Sequence, residues 1–330
     1  MQSTFQQAML GARVADALAM PVHWYYDRQA LARDYPVLRP FAAPKNPHPD
    51  SILWRSRYTP RNKRGDILHQ QKIYWGQREI HYHQFLKAGE NTLNFQLGLA
   101  LYRQILHNGH YDPDQWLDEY ISCMLQPGWH NDTYIEEYHR EFFDRLSRNL
   151  PPRQCGIEDI HIGGLATLPF LLAGLIQVGL TDLDHLRETA RTHTALTHRS
   201  KECLNSAVAL TGIIFAVASG ETLQAAIFAH ASHWISEKKF LAWRDLPDLV
   251  VVGRHLTPAC YLPDSFTASL YLAAKYHQDF AGGVLANARC GGDNSHRGAV
   301  LGALLGAANP IPEDLRSGLL PPPEPTPREK

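Results

Sequence analysis

Cysteine is scarce in this chain and never closely spaced. Cys123, Cys155, Cys203, Cys260 and Cys290 are five in 330 residues, an odd number with no Cys-x-x-Cys pair. That spacing argues against a zinc knuckle or a disulfide framework and for reduced thiols in a cytoplasmic protein. Charge of one sign is missing too: 32 Lys+Arg stand against 33 Asp+Glu, for a formal net charge of −1. No global field then favours nucleic acid or an anionic membrane, and no basic stripe interleaved with aromatics marks a nucleic-acid-binding patch. The N-terminus, Met1-Gln2-Ser3-Thr4-Phe5-Gln6-Gln7, lacks the basic segment of a signal peptide. The most apolar run, about 207–219, is too short to span a bilayer.

Alternating apolar and polar residues never persist long enough to suggest a sheet, and strand–helix–strand spacing is absent. Also missing are His-Glu-x-x-His, the phosphate-binding Gly-x-x-x-x-Gly-Lys-Ser/Thr and the Gly-x-Ser-x-Gly nucleophile elbow.

What is present is helical patterning. Asp112-Pro113-Asp114-Gln115 gives an N-cap, a proline in the first turn and a glutamine three residues on, ahead of an apolar face of Trp116, Leu117, Tyr120, Ile121, Met124 and Leu125. Thr133 and Glu136 have the spacing of a second capping box, opening a helix over 134–146. Further helices are predicted over 4–18, 95–107, 165–178, 184–192, 201–218, 223–233 and 265–276. Hydrophobic residues make up 44% of the chain, enough for a substantial core. The expected architecture is all-α: a compact, single-domain, multi-helix bundle over 1–316. Residues 36–82, with Pro36, Pro40, Pro44, Pro47, Pro49 and Pro60, form an irregular excursion of the kind that covers sites. The tail 317–330 is proline-rich and expected to be loose.

Eighteen histidines exceed ordinary usage, and several gather with other polar residues beside apolar helices. The run Cys290-Gly291-Gly292-Asp293-Asn294-Ser295-His296-Arg297 leads into a helix whose Gly298, Gly302 and Gly306 leave one face bare for close packing. Asp293 or Asn294 can cap it. Asp16 lies in a helix of small apolar residues and needs a partner there. Trp24-Tyr25-Tyr26 follows it, either a stacking wall for a base or sugar or part of the core. His81, His83, Glu90, Asn91, Thr92 and Asn94 crowd the start of the 95–107 helix. Thr92 or Asn94 serves as cap, but capping does not account for Glu90, Asn91 and the histidines together. Thr197 and His198 precede the 201–218 helix, as cap and as site wall or core histidine.

The order of these segments resembles the ADP-ribosylglycohydrolase family from about Phe5 to Pro310. The resemblance is carried by 11–21 (Gly-Ala-Arg-Val-Ala-Asp-Ala-Leu-Ala-Met-Pro), Ile162-Gly163-Gly164-Leu165-Ala166-Thr167-Leu168-Pro169, Thr197-His198, 265–272 (Ser-Phe-Thr-Ala-Ser-Leu-Tyr-Leu) and Gly291-Gly292-Asp293. It implies two Mg²⁺ held by a Thr-Asp-Asp triplet and a Gly-Gly-Asp-Thr-Asp-Thr segment. Those motifs fall here on Thr92-Leu93-Asn94 and on Asp293-Asn294-Ser295-His296, while a further acidic position falls near His23. Asp293 and Thr92 keep the pattern; the other carboxylates are replaced. Mg²⁺ wants charged oxygen ligands, so the ordinary binuclear site is not expected. The alternatives are one weak ion, a borderline metal on Asp293 with Thr92, His296 or His23, or no metal. Without metal, Glu90 or Asp16 is the candidate base, with His23, His81, His83 or His296 as acid or orienting partner. Trp24, Asn91, Asn94, His198, Asn294 and Arg297 are candidate substrate-binding residues. The expected activity is hydrolysis of an N- or O-glycosidic bond in a ribosyl or ADP-ribosyl compound. The alternative is a non-catalytic nucleotide- or nucleoside-binding or structural member of the fold. The partner is then a small ribosyl or nucleotide ligand or an ADP-ribosylated substrate.

Overall fold

The helices follow the apolar period, some with a side-chain cap and others without one. In the computed structural model, which describes residues 1–38 and 41–321, the first is α1 (Gln2–Ala19), continued by a 3-10 turn, and the next is α2 (Arg28–Asp34). There follow α3 (Leu93–Asn108), α4 (Pro113–Leu125), α5 (Glu137–Ser147), α6 (Leu168–Gln177), α7 (Leu183–Ala195), α8 (Lys201–Ala218), α9 (Leu223–His230), α10 (Glu237–Trp243) and α11 (Asp248–Val250). The last are α12 (Asp264–Lys275), α13 (Phe280–Arg289), α14 (Asn294–Ala308) and α15 (Glu313–Ser317). Among the described residues there is no β-strand, only isolated bridges such as Ile157 with His198. The all-α, compact architecture is as the sequence leads one to expect.

Asp112 caps α4 through the N–H groups of Asp114 and Gln115, as its spacing predicts. The second capping box is not made: Glu136 stands at the N-cap of α5 with no cap bond, and its side chain turns inward. Ser200, not Thr197, caps α8 by accepting from the Cys203 N–H. Helices α2, α10, α11, α13 and α15 are additions to the predicted set. α15 and the bond from Leu320 N–H to the Gly89 carbonyl (2.9 Å) hold the chain in place past residue 317. Residues 322–330 of the tail lie outside those described.

The centre is the pair α1 and α14. A Cβ on Gly302 would lie 2.3 Å from the Gly11 carbonyl oxygen, and one on Gly306 would lie 2.5 Å from that of Gln7. Two backbones approach this closely only because the face is bare. Helices α6, α8, α12 and α13 pack around the pair, with α3 on α6 and α7 on α8. By length and composition α8 is apolar enough to cross a membrane, a correction to the expectation that this run is too short, yet it is 61% buried inside the fold. That is how the core helix of a soluble protein behaves.

Among its described residues, the excursion over 36–82 holds only short 3-10 turns, Lys63–Gly65 and His69–Tyr74. Its Leu53 and Tyr82 close over Trp24, with Ile52, Trp75 and Tyr134 around them. It covers one particular place in the bundle: the end of α1 and the start of α14.

Candidate functional site

The site is built on a turn that only glycine can make. Gly291 and Gly292 have φ of +66° and +62°, and a Cβ on Gly292 would stand 2.1 Å from the Pro258 carbonyl oxygen. Trp24 N–H donates to the Gly292 carbonyl at 2.8 Å, and Gly292 N–H returns a bond to Tyr25 at 2.6 Å. The turn thus ties the segment after α1 to the start of α14. Asp293 caps α14 by accepting from the His296 N–H, a place where the helix field favours an anion.

Around Asp293 runs a chain of carboxylates and imidazoles. On one side His23 Nε2 lies 2.9 Å from Asp293 Oδ1. The other His23 nitrogen is 2.8 Å from His83 Nε2, and His83 Nδ1 meets Asp132. On the other side His296 Nδ1 lies 2.8 Å from Asp293 Oδ1, and its Nε2 is 3.1 Å from Glu136 Oε1. Asn94 sits beside this arm, its Nδ2 2.8 Å from His296 Nε2. Tyr138 hydroxyl (2.8 Å) and His139 Nε2 (3.0 Å) converge on the Asn94 Oδ1. Asp293 Oδ2 is buried with no hydrogen-bond partner, with His161 Nε2 at 3.6 Å. His161 Nδ1 accepts from the Gly163 N–H, so the neutral ring carries its proton on Nε2, towards that oxygen.

Burial sets the charges. Asp293, His23 and His296 are 0%, 1% and 1% exposed. Burial pushes the His296 imidazolium down, but the carboxylates of Asp293 and Glu136 outweigh it and its pKa is pushed up to about 10. Burial likewise pushes Asp293 and Glu136 up, and the histidines around them bring both well below the usual carboxylate range. His23 goes the other way: burial, only partly opposed by Asp293, pushes it down to about 3.

The other predicted residues are placed as follows. Asp16 accepts from Thr92 N–H (2.8 Å), Thr92 hydroxyl (2.9 Å), Asn91 Nδ2 (3.0 Å) and the Ser295 hydroxyl. This is a lock between α1, α3 and α14, and Thr92 makes no side-chain cap bond. Asn91 also donates to the Arg13 carbonyl. Arg297 is fully buried, with bonds to Asn287, Gly291 and Pro258, and Asn294 Nδ2 is held by the carbonyls of Val22 and Ala288. His81 accepts from His83 N–H at 3.0 Å and lies 3.1 Å from the Pro21 carbonyl, which fixes the loop that carries His83. His198 pairs with the Thr197 hydroxyl and lies tilted against Tyr138, ring centres 4.4 Å apart. Trp24 stacks on His23 at 3.8 Å with Tyr82 and Tyr134 at its edges, and so backs the imidazole. Glu90 accepts from Lys87 N–H at 2.8 Å, closing a turn, and makes none of the contacts of the chain around Asp293.

Five residues of the cluster escaped the sequence reading: Asp132, Glu136, Tyr138, His139 and His161. A signal existed. His139 falls on the same helical face as Phe142, Phe143 and Leu146, where an exposed histidine has no place. A cavity of about 30 Å³, lined by Asn94, Tyr138, His139 and Thr197, adjoins the cluster. It is room for roughly two waters.

The family model described as ADP-ribosylglycohydrolase matches residues 1–326. The chain belongs to the ADP-ribosylglycohydrolase family. Among solved structures it is similar to one titled "ADP-ribosylglycohydrolase-related protein complex", at 21% identity and a TM-score of 0.58 over 96% of each chain. That likeness shows the fold. No curated protein matches the chain.

Membership sharpens the question of the metal. In this member of the ADP-ribosylglycohydrolase family, the positions that the resemblance assigns to Mg²⁺ do not offer what Mg²⁺ needs. Leu93 is apolar, and the hydroxyls of Thr92 and Ser295 both point at Asp16. Asn94 Oδ1 is taken by Tyr138 and His139. Only Asp293 is left as a carboxylate, flanked by nitrogen, and two hard dications would go uncompensated. The described residues do include two groups able to hold an ion, His23–Asp293–His296 and His161–Cys260–Asp293.

Proposed function

We propose that this chain is a glycohydrolase-like hydrolase that cleaves an N- or O-glycosidic bond of a ribosyl or ADP-ribosyl compound, with Asp293 as its acting carboxylate. The observation that carries this reading is the second oxygen of Asp293, buried and without a hydrogen-bond partner at the heart of the cluster. Family membership supplies the reaction class. Asp293 Oδ2 accepts a proton from water, the water oxygen attacks the anomeric carbon, and the bond to the leaving group breaks. Asp293 then gives up that proton, which ends on the leaving-group atom, and the carboxylate is regenerated. Asp293 and Glu136 are both anionic and suit the positive charge that develops on the sugar. His296 stands between the two and keeps them from repelling each other. The five free cysteines suit a cytoplasmic protein.

One observation favours a second reading, a non-catalytic nucleotide- or nucleoside-binding member: the cluster is almost wholly shielded from solvent. The deciding measurement is release of ADP-ribose from N- and O-linked ADP-ribosyl substrates. The expected result is turnover that falls roughly 10²–10⁴-fold in Asp293→Asn. Glu90→Gln should keep it. Binding of ADP-ribose with no release from any such substrate would leave the second reading standing and the hydrolase refuted.

A further inference from the structure

The two arms of the cluster share one plan. Each imidazole that meets Asp293 Oδ1 is backed, beyond its far nitrogen, by a carboxylate. His296 is backed by Glu136 directly (3.1 Å), and His23 is backed by Asp132 through His83. The tautomers of the His23 arm follow from its end. Asp132 has no proton to give as a carboxylate, so His83 presents Nδ1–H to it and a lone pair at Nε2. That lone pair takes the proton of His23 Nδ1. His23 Nε2 is then left with its own lone pair, aimed at Asp293 Oδ1 from 2.9 Å. Two electron pairs facing each other at this distance, in a fully buried place, need a proton or a metal cation between them. Asp293 Oδ2, also buried, has no hydrogen-bond partner.

We propose that His23, Asp293 and His296 form a site for one borderline divalent cation of the Zn²⁺ class, in place of the Mg²⁺ pair implied by the family. Their ligand atoms lie within 4.8 Å of one another, and the cation would take the place of the proton that His296 Nδ1 otherwise holds towards Asp293. Imidazole suits borderline metals, and Mg²⁺ prefers oxygen. An imidazole that ligates metal almost always passes its other N–H to a carboxylate or carbonyl; His296 faces Glu136 in this way, and His23 reaches Asp132 through His83. Three protein ligands leave a position open for water, as in hydrolytic zinc sites. The rival group built on His161 and Cys260 is excluded by the His161 tautomer, whose Nε2 carries hydrogen. This inference goes beyond the hydrolase reading and does not depend on it, because binding is measured without turnover.

The test is calorimetric titration of the chelator-stripped full chain with Zn²⁺ alone and Mg²⁺ alone, together with the metal content after purification. One equivalent of Zn²⁺ is expected, bound roughly 100-fold more tightly than Mg²⁺. His23→Ala and His296→Ala should abolish that equivalent while the chain keeps its helical circular dichroism. Should either fail to fold, Asp132→Asn decides. It touches no ligand atom and should weaken Zn²⁺ roughly 10-fold or more through His83. The proposal is overturned by tighter binding of Mg²⁺, by no binding to the folded chain, or by Zn²⁺ affinity unchanged in these variants.

Discussion

His23 Nε2 and Asp293 Oδ1 stand 2.9 Å apart although 270 residues separate them in the chain. The contact exists because α1 and α14 are packed backbone to backbone, so whatever follows α1 meets whatever begins α14. Site and scaffold are therefore coupled, and the scaffold can be tested separately.

The bare faces of α1 and α14 are the first target. A Cβ on Gly302 would meet the Gly11 oxygen at 2.3 Å, and neither backbone can yield without parting the helices. Gly302→Ala is expected to destabilise the fold by about 3 kcal/mol or more. At Gly298 the nearest contact is 3.3 Å, which a small shift relieves. Gly298→Ala should cost clearly less. Urea denaturation midpoints of the two variants compare them, and equal losses would contradict this packing.

Asp16 predicts a loss of stability in the same measurement. Its carboxylate accepts from four donors, so an amide in its place turns an N–H towards at least one of them. Asp16→Asn should cost about 2–4 kcal/mol. A variant as stable as the parent would mean that Asp16 does not lock the three helices together.

These two targets also show what was legible in the sequence. The glycine spacing in 298–306 and the helical periods gave the architecture, because both are local signals. Asp293 was readable as a cap for the same reason. Glu136 was not. Thr133 and Glu136 have the spacing of a capping box, and that local reading competes with a contact to Asn94 and His296, 42 and 160 residues away. Spacing along a helix says which side chains share a face but not what that face meets. Thr92 shows the same limit, since its hydroxyl leaves the cap position for Asp16.

Glu136 can be tested through its neighbour. The pKa of His296 is pushed up to about 10 because anions flank it on both sides. Glu136→Gln removes one of them, and the His296 pKa should fall. Titration of the imidazole by NMR in the metal-free chain reads this directly. A pKa that stays near 10 would place the source of the shift in Asp293 alone.

The buried histidines outside the site set the acid limit of the fold. His193 is buried, with Nδ1 2.8 Å from the Tyr111 hydroxyl and Nε2 2.9 Å from the Thr167 hydroxyl. Burial pushes its pKa down to about 3, against an ordinary value of 6.5. The unfolded chain therefore binds a proton that the folded chain refuses. The stability this group contributes is fully present above pH 6.5 and is lost as pH falls from 6.5 to about 3, by at most about 1.4 kcal/mol per pH unit. His48, also pushed down to about 3, adds to the same slope, as does His139 within the cluster. His193→Gln should lower stability at pH 8, where its two hydroxyl contacts are disturbed. It should also make the decline between pH 6.5 and 4 shallower by about one proton. Denaturation midpoints at pH 8, 6 and 4.5 separate the two effects, and parallel curves for parent and variant would show that His193 is not held neutral.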